Sequence, residues 1–135
     1  WMIKNSPAFK TVTGADLISS FGGLIGEADK KALTPKVADE DAAVYRRALS
    51  MGYYGWQDDD LAFVQSFGFE LSKIDKPVLV WQGDDDFMVP REHSNWLAKH
   101  ISTAKLNFVP GHGHISLVQS YREEIINQAL NLLNS

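Results

Sequence analysis

The spacing of apolar residues along the chain is helical in its first half. Leu17, Phe21 and Leu24 recur at steps of three and four residues, the period expected of a helix with one buried face. No alternation of apolar and polar residues, the mark of a strand, interrupts this stretch. We therefore predict a helical region over residues 13–73, which follows an extended entry segment over residues 1–12.

Helix start and stop signals support this prediction. Thr13 and Asp16 have the spacing of a capping box, in which each side chain bonds to the other residue's backbone N–H. Pro35 follows a threonine, and proline at the first helical position gives up no hydrogen bond. Gly52 provides a stop signal, so a long helix is predicted over residues 35–51.

The pattern changes over residues 74–135. Short apolar runs at residues 77–81 and 106–109 predict two strands, and the segment between them has a helical pattern. A further helix is predicted from about residue 120 to residue 133. Because two strands joined by a helix form a parallel βαβ unit, the predicted fold class is α/β, with a helical segment followed by a βαβα unit containing two parallel strands.

Candidate catalytic residues follow both predicted strands. Asp86 lies shortly after the first strand and His114 shortly after the second, each near a glycine that eases the close approach of loops, Gly83 and Gly113. Side chains at the carboxyl ends of neighbouring parallel strands meet at one edge of the sheet. A carboxylate there can orient an imidazole and stabilise its protonated form. The alternative, equally supported by spacing alone, is that Asp86 only caps the next helix and His114 bonds locally.

Composition narrows the classes of function. Hydrophobic residues make up 44% of the 135 residues, which is enough for a packed core. The net charge of −4 gives no electrostatic reason to expect nucleic acid or an anionic membrane as a partner. The chain contains no cysteine, and its apolar runs are too short to span a bilayer. We expect a cytoplasmic protein without a cofactor.

A metal site is an alternative use of the same region. His112 and His114, with Asp84, Asp85 and Asp86 nearby, offer nitrogen and oxygen ligands. Their spacing matches no standard metal motif, so we expect no metal.

The sequence motifs around Asp86 and His114 resemble those of a known family. Pro-Val-Leu-Val-Trp-Gln-Gly-x-x-Asp-x-x-Val-Pro begins at Pro77, and Val-Pro-Gly-x-Gly-His ends at His114. Together they are similar to the C-terminal end of the α/β-hydrolase fold, over about residues 74–133. The resemblance implies that Gly83 is the glycine that follows strand seven, Asp86 the triad acid and His114 the triad base.

The same resemblance gives the helical region a role. Residues 13–73 stand where many family members carry a cap over the active site. Aromatic residues of this region are therefore candidates to line the pocket for a small-molecule substrate, although simple packing within the cap is the more common role. The candidates are Phe21, Tyr53, Tyr54, Trp56 and Phe67.

The nucleophile of such a triad is missing. No G-x-S-x-G motif occurs, and the nearest serine–glycine cluster, around Ser19 and Ser20, lies in a helical context. The family order of nucleophile, acid and histidine places the missing parts upstream. The resemblance thus implies the C-terminal portion of a longer esterase-, lipase- or peptidase-like enzyme, with either serine or aspartate as nucleophile and no turnover by this chain alone. The alternative is a non-catalytic scaffold module that forms homo-oligomers through an exposed sheet edge.

Overall fold

The structure is a computed structural model, which describes residues 2–133. By its internal contacts the chain forms two compact units. The first contains residues up to 22 and residues 34–69, and the second contains residues 23–33 and the residues from 70 onward. The predicted region 13–73 thus contributes to both units.

The elements in chain order are α1 (Met2–Phe9), α2 (Gly14–Phe21), α3 (Glu27–Ala32), α4 (Pro35–Ala48), α5 (Tyr54–Phe63), β1 (Val78–Gly83), α6 (Arg91–His100), β2 (Ala104–Val109) and α7 (His114–Leu133). Short 3₁₀ turns lie at Gly22–Leu24 and Leu71–Lys73. In the range 2–133, no helix is both long enough and apolar enough to cross a bilayer.

The predicted extended conformation of residues 1–12 is wrong, because residues 2–9 form helix α1. The helix is held by tertiary contacts that the sequence pattern does not reveal. The Phe9 ring lies 5.5 Å from the rings of both Tyr45 and Trp56, and Ser6 is buried. Packing from distant residues thus decides the conformation of a segment whose own pattern is weak.

The first unit is built on α2 and α4, which pack against each other. Its buried cluster contains Val12, Leu17 and Ala42. The predicted capping box of α2 is confirmed, since the Thr13 hydroxyl accepts a bond from Asp16 N and the Asp16 carboxylate accepts one from Thr13 N. The hydrogen bonds from the Thr13 side chain and backbone lower the pKa of Asp16.

The second unit contains the sheet. β1 and β2 pair in parallel, and the register runs from Val78 opposite Ala104 to Gly83 opposite Val109. Helix α6 packs on both strands, α7 packs on β1, and α3 packs on α7. The predicted pair of parallel strands joined by a helix is confirmed, and the helix-rich structure is compatible with the predicted α/β class.

The predicted start of the last helix near residue 120 is wrong, because α7 begins at His114. Gly113 directly precedes the helix and has no side chain that could accept bonds from the first backbone N–H groups of α7. The cap comes instead from the side chain of Asp29, distant in the sequence, which accepts bonds from the first backbone N–H groups of α7. A sequence pattern cannot show a cap of this kind.

Two adjacent residues of α2 test the packing of the first unit. Leu17 is 2% exposed and Ile18 is 42% exposed. We expect Leu17→Ala to lower the free energy of unfolding by about 2–5 kcal/mol, because it leaves a cavity in the core. The matched change Ile18→Ala should cost less than about 1 kcal/mol, since little apolar area is lost. Urea unfolding followed by circular dichroism measures both, and equal losses would contradict the described orientation of α2.

Candidate active site

The side chains of Asp86 and His114 meet at the carboxyl ends of the paired strands. The Asp86 Oδ2 atom lies 3.1 Å from His114 Nδ1. The side chain of Asp86 is 7% exposed and that of His114 is 48% exposed. A shielded carboxylate therefore contacts an imidazole whose side chain is about half exposed. The catalytic roles of the two residues remain a prediction.

The loop after β1 fixes the carboxylate of Asp86. Its Oδ1 atom accepts bonds from the backbone N–H groups of Met88 and Val89, each at 2.9 Å. The buried side chain of Gln82 donates to Val89 O at 3.2 Å and so ties the same loop to the strand. Asp86 thus accepts two bonds within its own loop and also contacts the histidine. It does not cap helix α6, whose N-cap Pro90 receives no side-chain hydrogen bond, so the alternative in which Asp86 only caps that helix is wrong.

This contact determines which ring nitrogen of His114 carries a proton. An ionised carboxylate can only accept hydrogen bonds. The neutral ring must therefore place its proton on Nδ1, toward Asp86, and leave Nε2 as an acceptor. An imidazole with a free Nε2 can act as a general base toward a hydroxyl or water within hydrogen-bond reach.

The two neighbouring aspartates hold other segments around the pair. Asp84 Oδ1 accepts a bond from Gly111 N at 2.6 Å, which ties together the loops after the two strands. Asp85 Oδ2 accepts from Ala28 N at 2.9 Å and so caps α3 from outside. The family resemblance treats both positions as variable, and the sequence gives no signal of these bonds because their partners are remote.

Glycine is required where the two loops approach each other. A Cβ atom on Gly83 would collide with the carbonyl oxygen of His112. The backbone N–H of Asp85 donates to that same oxygen at 2.9 Å. At Gly113 a Cβ atom would lie about 2.5 Å from the carboxylate of Asp29. Gly83 therefore allows the loops that carry the acid and the histidine to come together, and Gly113 leaves space for Asp29 at the start of α7.

Asp29 is a residue of this region that the sequence reasoning missed. Its side chain is fully buried, and its carboxylate lies at the start of α7, directly beneath the backbone of His114. In the sequence it stands between alanine and lysine in Glu-Ala-Asp-Lys-Lys, which is typical of an exposed helix. No local signal could have identified it.

The metal alternative finds no support in the part of the chain that the structure describes, where no group of three or more His, Asp or Glu side chains could hold an ion. Asp84 and Asp85 each accept a backbone N–H. The Nδ1 atom of His112 lies 3.0 Å from Pro110 O. One oxygen of each of these carboxylates and one ring nitrogen of His112 are thus engaged with the backbone.

An open cleft of about 780 Å³ lies beside the pair in the second unit. Its walls come from α3, from Asp84 and Asp85, and from Ser116 and Ser120 of α7. Neither Asp86 nor His114 lines it. The cleft is therefore separate from the contact between Asp86 and His114.

The predicted substrate-binding aromatics all belong to the first unit. Phe21 packs on the buried cluster, and Trp56 contacts Phe9 edge-on. The rings of Tyr53 and Tyr54 stack at 4.7 Å, and the exposed Phe67 tilts against Phe69. The role of these residues in substrate binding stays a prediction.

Comparison with known proteins adds one relative. No protein-family model matches the sequence. The chain is 34% identical over 88 residues to a poly(3-hydroxyalkanoate) depolymerase of Ectopseudomonas oleovorans. The chain resembles a hydrolase. The match covers 62% of this chain and 29% of the depolymerase, so the chain spans less than a third of that relative's length.

The close approach at Gly83 gives a testable expectation. Gly83→Ala should lower the free energy of unfolding by about 1–3 kcal/mol, because the added methyl group meets a backbone carbonyl that cannot rotate away. Gly55→Ala is the matched control, since a Cβ atom there meets nothing within 4 Å. Thermal unfolding compares the two variants. A Gly83→Ala protein as stable as the Gly55→Ala protein would contradict the described contact between the loops.

Proposed function

We propose that this chain is the C-terminal portion of an α/β-hydrolase and supplies the acid and the histidine of its catalytic triad. The observation that carries the proposal is the 3.1 Å contact between Asp86 and His114 at the ends of two parallel strands. The similarity to a depolymerase supports the hydrolase class independently. The nucleophile and the oxyanion hole come from chain outside this sequence.

In this proposal the imidazole transfers protons in both directions. With serine as the nucleophile, Nε2 of His114 takes the hydroxyl proton as the serine oxygen attacks the substrate carbonyl. Asp86 stabilises the imidazolium that forms and keeps the ring in its orientation. The same proton then passes to the leaving group, and in the second half of the reaction His114 activates the water that releases the acyl group.

The proposed substrate is an uncharged aliphatic ester. The relative is named for the depolymerisation of a poly(3-hydroxyalkanoate), whose repeating units are joined by ester bonds. We extend to this chain only the bond type and the apolar character of the acyl chain. The exposed face of His114 is compatible with access by such a bond.

Surfaces of the second unit support a role within a larger protein. The described sheet has two strands, so each strand has an edge without a neighbouring strand, and two-stranded sheets are marginal alone. On α7, Val118, Ile126 and Leu130 are each about half exposed and Leu133 is 82% exposed. Apolar surface of this kind is typical of a contact with further protein.

The open strand edges also favour a second candidate, a non-catalytic module that associates through its sheet. In that case Asp86 and His114 would only hold the loops together. Light scattering on the purified chain separates the two candidates. A concentration-independent dimer with cooperative unfolding favours the module, whereas a monomer or an aggregate favours the hydrolase portion.

Substitutions in the longer protein test the proposed triad. We expect His114→Ala to lower kcat for p-nitrophenyl ester hydrolysis by about 10³-fold or more, and Asp86→Asn by about 10²–10⁴-fold, as in other triads. His93→Ala, which alters an exposed histidine on α6, should leave kcat within twofold of wild type. Stopped assays at saturating ester give these values. Full activity of the His114→Ala protein would refute the proposed role.

The 135-residue chain alone should not turn over esters in a manner that depends on His114, because it lacks the nucleophile motif. The measurement compares the purified wild-type chain with its His114→Ala variant. Faster hydrolysis by the wild-type chain would show that it supplies its own nucleophile. The coding DNA upstream of the Trp1 codon gives a second test, since the proposal requires an open frame there with G-x-S-x-G or G-x-D-x-G.

A further inference from the structure

The proposed chemistry does not use the buried carboxylate of Asp29, which lies at the start of α7. Its side chain is 0% exposed. Burial of a charge is costly unless hydrogen bonds compensate for the lost water. Here the compensation comes from the first turn of α7, because within residues 2–133 four hydrogen bonds from that turn reach the carboxylate.

The contacts have the geometry of a helix cap supplied from another segment. Oδ2 accepts from His114 N at 2.9 Å, and Oδ1 accepts from Ile115 N at 3.0 Å and from Ser116 N at 2.8 Å. The Ser116 hydroxyl donates to Oδ1 at 2.8 Å. The first backbone N–H groups of a helix lack partners within the helix, and the positive end of the helix dipole favours a carboxylate there.

The missing side chain of Gly113 leaves the space that the Asp29 carboxylate occupies. Gly113 precedes α7 at the position where a capping side chain would normally stand, and a Cβ atom there would occupy the space of the Asp29 carboxylate. Its φ is not among the positive values of the chain, so space rather than backbone conformation excludes a side chain. The local cap has therefore been replaced by a remote one.

This arrangement places His114 between two carboxylates. Asp29 holds its backbone N–H, and Asp86 holds its ring at Nδ1. The side chain of His114 is about half exposed, so packing alone does not fix the ring. Its position depends on where the helix begins and on the bond to Asp86.

We propose that Asp29 is a positioning residue for His114: by fixing the first turn of α7 it places the imidazole within reach of Asp86. The catalytic meaning of this inference rests on the proposed function. Asp29 itself touches no substrate, because its side chain is fully buried. It acts only through the backbone of the histidine.

The first test observes the ring directly in the ¹⁵N-labelled chain at about pH 9, where histidines are neutral. We expect Asp29→Ala to remove the preference of His114 for the Nδ1-protonated tautomer. Hydrogen exchange of the Ile115 and Ser116 amides should accelerate at least about tenfold, because each loses a charge-assisted bond. His100, whose Nδ1 lies 2.7 Å from Trp96 O, should be unchanged in the same spectra.

Asp16→Ala is the matched control for general destabilisation. The Asp16 carboxylate also caps a helix, through bonds from Thr13 N at 2.9 Å and Thr13 Oγ1 at 2.6 Å, but in the first unit. Its removal should leave the His114 tautomer unchanged. If Asp29→Ala lowers the melting temperature and the His114 signals remain those of wild type, Asp29 is a helix cap only and the inference is overturned.

A double variant keeps the test decisive if Asp29→Ala does not fold. Gly113→Ser alone should destabilise the chain, because the new side chain collides with the carboxylate of Asp29. With Asp29→Ala in the same chain the space is free, and the serine can cap α7 locally. Each single change should therefore be harmful and the pair should restore both folding and the His114 tautomer. A folded double variant without that tautomer would overturn the proposal.

Kinetics of the longer protein connect the inference to turnover. Asp29→Ala should lower kcat at least about tenfold, the loss expected when a catalytic group is misplaced, and should leave KM within twofold of wild type. An unchanged kcat, in a protein whose His114→Ala variant is inactive, would overturn the positioning role. If His114→Ala is itself fully active, the proposed function fails, and the spectra still decide whether Asp29 fixes the ring.

Discussion

The parallel pairing of β1 and β2 is the constraint on which the candidate site depends. Its register sets Gly83 opposite Val109, so the two strands end at the same level and their following loops leave the sheet side by side. The missing side chain at Gly83 lets the carbonyl of His112 lie directly against the end of β1. Because of this close approach, Asp86 and His114 can share a hydrogen bond although 28 residues separate them.

Hydrogen bonds to carboxylates hold the loops after β1 and β2 in place. Asp84, Asp85 and Asp86 are consecutive in sequence, yet each accepts a hydrogen bond from a different part of the second unit. Asp29 adds a fourth anchor at the start of α7. Bonds to charged acceptors are stronger than those between neutral groups. Loops bound in this way can hold an exposed imidazole in one orientation without the help of a packed pocket.

Much of the fold could be predicted from local patterns. The capping box at Thr13, the long helix after Pro35 and the two apolar strands all depend on residues close together in sequence. The predictions that were wrong concern helices whose stabilising contacts come from residues distant in the sequence. Helix α1 is held by Phe9 against Tyr45 and Trp56. Helix α7 starts earlier than expected because its cap is the side chain of Asp29, which is distant in the sequence. The residues near Gly113 give no sign of this cap.

The sequence by itself determined the α/β class and pointed to Asp86 and His114, because strand ends and glycines are local features and the carboxyl ends of parallel strands must meet. Only the tertiary structure decided which nitrogen of His114 faces the acid, and that Asp84 and Asp85 accept backbone N–H groups from distant segments. It alone identified Asp29 beneath the histidine. These features are contacts between segments far apart in the chain, and such contacts exist only once the chain has folded.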